Sequence, residues 1–96
     1  MMREKRSEHR RTVHKDISYL RKWIELGREQ KSPEQGTLMD TSLCGFGIES
    51  PHAVRTGDVL IVDPFGHGGM PFRFNVKWVA QVEDKFRFGC RFVHIS

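Results

Sequence analysis

The clearest pattern in the chain is an alternation near its end. Phe72, Phe74, Val76, Trp78, Ala80 and Val82 take every second position, with Arg73, Asn75, Lys77, Gln81 and Glu83 between most of them. A period of two belongs to a strand with one buried face. After Glu83, Asp84 and Lys85, a second run sets Phe86, Phe88, Cys90 and Phe92 on one side, and Arg87 and Arg91 on the other. Together the runs predict a long antiparallel hairpin over 72–83 and 86–95. Its aromatic side is the main source of core, and the in-phase neighbours Phe74 and Val76 put Trp78 in that core.

Upstream the signals are shorter. Val59 to Val62 is a β-branched run stopped by Asp63 and Pro64, and it predicts a strand over 57–63 buried on nearly both faces. Strands are also expected at 37–39 and 46–50, the second ended by Pro51, which cannot donate to a ladder. Residues 13–26 fit two periods. Ile17, Tyr19 and Trp23 share a strand face interrupted by Arg21, whereas Ile17, Leu20 and Ile24 share a helix face with Asp16 as N-cap. Periodicity leaves both open. Residues 27–36, polar and bounded by glycines, read as a loop. The glycine-rich stretch 65–71 lacks the Lys-Ser/Thr pair and following helix of a phosphate-binding loop, so it reads as a flexible connection. About six short strands with turn punctuation predict an all-β barrel or sandwich.

Composition narrows the function. A chain of 96 residues holds one domain with a single modest core. No apolar run exceeds four residues, so no membrane span is expected, and the basic start is followed by no apolar leader segment. Cys44 and Cys90 fall short of a disulfide framework and read as reduced thiols of a cytoplasmic protein. His9, His14, His52, His67 and His94 are scattered, with no ligand spacing for a metal. No Ser, Cys or Lys has an evident base partner, so neither an enzyme nor a cofactor is expected. The net charge of +4 resides entirely in residues 1–15, where six Lys or Arg face two Glu. That localisation points to an anionic partner met by the N-terminal arm.

The arm carries Arg6 and Arg10, four residues apart, and Asp40, Ser42 and Gly45 follow about thirty residues on as Asp-x-Ser-x-x-Gly. Asp40 offers a carboxylate and Ser42 a hydroxyl. Gly45 and Gly47 permit a positive φ or a close approach by another group. An isolated basic arm is commonly only solubilising, but the two motifs in this order resemble the PilZ family of bacterial cyclic di-GMP receptors. The resemblance covers nearly the whole chain. It implies a flexible basic arm over 1–12 and a six-stranded antiparallel β-barrel over 13–96, with residues 13–26 as its first strand. It also implies a cyclic di-GMP site built from Arg6, Arg10, Asp40, Ser42 and Gly45. Arginine forks suit phosphate and the O6/N7 edge of guanine, and Asp40 can accept from guanine N–H groups. Lys5 stands where the family tunes whether one or two nucleotides bind, and Trp78 where some members stack an aromatic on a base.

The function so implied is a receptor that changes conformation on binding the messenger and signals to a protein partner or through self-association. The alternative is a PilZ-like interaction module that binds no nucleotide, for example in pilus assembly or motility. A third reading, a single-stranded nucleic-acid barrel, is disfavoured by the neutral charge of residues 16–96, and no DNA or RNA partner is expected.

Overall fold

The computed structural model describes residues 11–62 and 72–93. These form six strands: β1 (Arg11–Glu25), β2 (Arg28–Thr41), β3 (Gly45–Ser50), β4 (Val59–Val62), β5 (Phe72–Val82) and β6 (Lys85–Phe92). All neighbours are antiparallel, and the sheet closes as β1-β2-β3-β6-β5-β4 with β4 returning to β1. Closure removes the exposed edges that an open sheet of this size would present. The described residues contain no helix, so the ambiguity at 13–26 resolves as strand. Arg11 and Thr12 already belong to β1.

One expectation fails outright. Residues 27–36 are not a loop, because β2 runs through them and pairs with β1 from Glu25↔Arg28 onward. The turn is only Leu26 and Gly27, with φ of 53° and 76°. Two successive positive φ values make the hairpin turn whose twist matches the flanking strands. The ribbon is polar because its outer half projects past the strands that close the barrel: β4 reaches only Lys22 and β3 only Thr37. Water on both faces erases the alternation that would have marked a strand. Lys22 and Glu29 brace the ribbon at 2.6 Å, and that contact holds the Glu29 carboxyl below its usual range. The later hairpin is as expected but tighter: Val82 pairs with Lys85 across a two-residue turn in which Glu83 has a φ of 59°.

The core is the barrel interior. Leu60, Val62, Ile48, Val76 and Phe88 are all at most 1% exposed, and Tyr19 packs edge-on to Phe88 at 6.2 Å. In β4 the run is less uniform than expected, with Leu60 and Val62 buried and Val59 and Ile61 half-buried. Among the described residues the buried polar side chains Ser50, Glu34 and Asp58 all have hydrogen-bond partners. The Tyr19 hydroxyl donates to Ser50 Oγ at 3.1 Å, and Ser50 donates on to the Gln35 carbonyl at 2.8 Å. Burial, chiefly, pushes the Tyr19 phenol up to about 12, and it does the same to the Cys90 thiol. Both groups lose their protons first in the unfolded chain, so folded stability is intact below their ordinary values and falls as pH climbs from about 9 to 12. Chemical denaturation across that range checks this, and Tyr19→Phe is expected to flatten its upper part.

Arg21, which interrupts the apolar face of β1, closes one end of this interior. Its Nε lies 3.0 Å from both carboxylate oxygens of Glu34, and its Nη1 lies 3.1 Å from Asp58 Oδ2. The guanidinium sits 3.9 Å from the centroid of the Trp23 ring. Asp58 also accepts from the Arg55 backbone N–H at 3.0 Å. One cation thereby ties β1, β2 and the β3–β4 connection together.

Candidate functional site

The Asp-x-Ser-x-x-Gly stretch forms the end of β2, a three-residue turn and the first residue of β3. The Ser42 N–H donates to the Gly45 carbonyl at 2.8 Å and closes the turn, leaving Leu43 at the tip 94% exposed. The Phe92 N–H donates to the Cys44 carbonyl at 2.7 Å, which pins the turn to the end of β6. Gly45 is not in the left-handed region; the demand on it is steric. A Cβ there would run into the carbonyl oxygen of Cys90 on the neighbouring strand.

Two β-bulges decide which residues face outward. Between Leu38 and Asp40 the β2–β3 register slips by one, so Leu38 pairs with inward-facing Ile48 while Asp40 pairs with Gly47. Without the slip, Asp40 would follow Leu38 into the core. Between Val76 and Trp78 the β5–β6 register slips likewise, so Val76 pairs with buried Cys90 and Trp78 with Gly89. Trp78 therefore leaves the core that its in-phase neighbours predict, and is 46% exposed. Val79 takes up the packing against the core instead.

The consequence is a single row on the outside of the barrel. Thr12 pairs with Asp40, Asp40 with Gly47, Gly47 with Gly89, and Gly89 with Trp78, across β1, β2, β3, β6 and β5. Paired residues in antiparallel strands share a face. The row therefore sets a carboxylate and an indole at the two ends of a glycine floor, separated by three inter-strand steps of about 4.8 Å each. Both glycines are needed. The Asp40 carboxylate oxygens lie 3.0 and 3.1 Å from where a Gly47 Cβ would stand, and the Trp78 indole covers the place of a Gly89 Cβ.

Over Thr12, Asp40, Gly47 and Trp78 of this row lies a cleft of about 260 Å³, lined also by His14, Met39 and Arg87. Arg87 reaches Glu49 at 3.3 Å. An acceptor pair at one end and an aromatic face at the other suit a flat group with N–H donors on its edge. Among the described residues no cluster of His, Cys, Asp or Glu fits a metal ion. No helix among them is long and apolar enough to cross a membrane.

The structure thus brings together Asp40, Ser42, Gly45 and Trp78 from the expected set. Lys5, Arg6 and Arg10 lie outside the described residues, as does the glycine-rich stretch 65–71. The described chain nevertheless starts beside the site, since Arg11 pairs with Thr41 and Thr12 with Asp40. One peptide bond separates Arg11 from Arg10. Gly89 is the residue sequence reading missed. Its signal was present: a glycine on the outward phase of β6, between Arg87 and Arg91, marks a place where another group lies on the strand.

Comparison with known proteins agrees with the architecture. Residues 4–96 match the model of the PilZ domain, and the chain belongs to that family. Among solved structures it is similar to YcgR from Escherichia coli, determined in complex with c-di-GMP, with a TM-score of 0.54 and 18% identity. That match covers 97% of this chain and 40% of YcgR, so the chain spans well under half of the relative's length. At this identity the likeness speaks for the fold. No curated protein matches the sequence.

Proposed function

We propose that this PilZ domain is a receptor for cyclic di-GMP, which binds over the outer row from Asp40 to Trp78. The observation that carries the reading is the pair of bulges, which takes a carboxylate and an indole out of the core and aims both at one glycine floor. In this reading a guanine edge donates to Asp40, and Trp78 offers its open face to a base. Ser42 supplies a hydroxyl at the turn, and Gly45 keeps the turn against β6. Arg6 and Arg10 of the motif supply guanidinium groups for phosphate and the O6/N7 edge, joined to the site through Arg11 and Thr12. Binding would fix the arm against the outer face of the barrel and present a changed surface to a protein partner, an order-on-binding switch.

Calorimetric titration with cyclic di-GMP, using GMP as control, tests the reading. The wild type should bind saturably, and Asp40→Ala and Arg6→Ala/Arg10→Ala should each lose at least about tenfold in affinity, since each removes charge-assisted hydrogen bonds. A folded wild type that binds nothing would sink the receptor reading in favour of a protein-interaction module. Full affinity in Asp40→Ala would move the site off the glycine floor.

A further inference from the structure

Trp78 has a second side. Beyond it, between the Ser42–Gly45 turn and the β5 bulge, lies another cleft of about 180 Å³, lined by Ser42, Cys44, Gly45, Lys77, Trp78, Gly89, Cys90 and Arg91. No carboxylate lines it, whereas two cations do. The bulge creates this arrangement, because it places Lys77 and Trp78 consecutively on the outer face, while Arg91 faces outward two residues past Gly89. Lys77 makes no ion pair among the described residues. The Ser42 hydroxyl meets the Gly45 carbonyl only at 3.4 Å, so it is weakly committed and can turn to donate elsewhere.

We infer that this cleft is a phosphate subsite, in which Lys77 and Arg91 hold a phosphodiester of the nucleotide whose base lies on the Asp40 side of Trp78. The inference rests on the proposed nucleotide binding and assigns the ligand a direction. The two clefts share Trp78, and their charge balance differs: on one side stands the Asp40 carboxylate, beside an Arg87 that is paired with Glu49, and on the other two cations and a hydroxyl with no carboxylate. A guanine nucleotide has this polarity, with donors on the base edge and charge on the phosphate. Of the two phosphodiesters, Arg6 and Arg10 meet one in the proposed complex; turning the other toward Asp40 would set it against a like charge and leave Lys77 and Arg91 without an anion.

Titration of cyclic di-GMP into Lys77→Ala, Arg91→Ala and Lys77→Arg at two sodium chloride concentrations tests the assignment, with Lys31→Ala on the projecting ribbon as a charge control. Each alanine variant at the cleft should weaken binding about tenfold at low salt and reduce the salt dependence. Lys77→Arg should restore most of the affinity, and Lys31→Ala should match the wild type. Both targets are exposed, so the fold should survive the changes. Wild-type binding with both alanine variants within twofold and an unchanged salt response would overturn the phosphate subsite alone. Absence of wild-type binding would overturn the nucleotide reading beneath it.

Discussion

Arg21→Ala is expected to destabilise the domain by about 3–5 kcal/mol, as removal of one partner from a buried ion pair generally does. The Arg21 side chain is 14% exposed, and the two carboxylates it meets are 5% and 6% exposed. Truncation would leave Glu34 and Asp58 facing each other across the barrel end without their counter-charge. A domain of this length holds a total of roughly 5–14 kcal/mol, so the variant should sit close to unfolding at ambient temperature. Urea denaturation measures the loss directly. A triple variant, Arg21→Met, Glu34→Gln and Asp58→Asn, separates causes. It should recover a large part of the loss if stranded charge is the source, because the apolar stem and the shape are kept. A single-variant cost under about 1 kcal/mol would show that water reaches these carboxylates and that the network contributes little.

Gly45→Ala should be the second severe change, through sterics rather than charge. The new Cβ would meet the Cys90 carbonyl oxygen and carbon and the Arg91 Cα, all backbone atoms of an interior strand that cannot swing aside. Relief requires β3 and β6 to separate at Gly45↔Arg91, where the Cys44 carbonyl also receives the Phe92 N–H. The expected cost is at the upper end of the about 1–3 kcal/mol seen for overpacking. The turn should shift with it and carry Ser42 off its position. Thermal melts together with ligand titration check both halves. Near-wild-type stability with normal binding would mean that the strands part easily, contrary to the close approach seen here.

These two residues also show what the sequence could reveal. Gly45 was legible as a required glycine from its place in the motif, but whether φ or close approach demanded it depended on where β6 runs. Arg21 was legible only as a blemish in an apolar face. Its partners are separated from it by 13 and 37 residues, and nothing local marks Glu34 or Asp58 as its counter-charges. The hairpin from β5 to β6 was readable because one face is wet and the other dry. The β1–β2 ribbon was not, because both faces of its outer part are wet. Trp78 shows the limit of counting by twos: a single bulged residue inverts the phase of everything after it, and bulges leave no mark in hydrophobicity. The barrel was thus legible from periodicity and the motif pair, while the glycine row required the register.

In the proposed complex cyclic di-GMP lies on the outer face of the barrel, along the row that holds Gly47 and Gly89. Two-dimensional amide NMR, with the messenger titrated into the labelled protein, tests that placement. Saturable shifts of the Gly47 and Gly89 amides and of the Trp78 indole N–H are expected, with residues 24–31 of the ribbon unmoved. Shifts confined to the ribbon, or a saturated complex in which the Trp78 indole signal stays fixed, would contradict it.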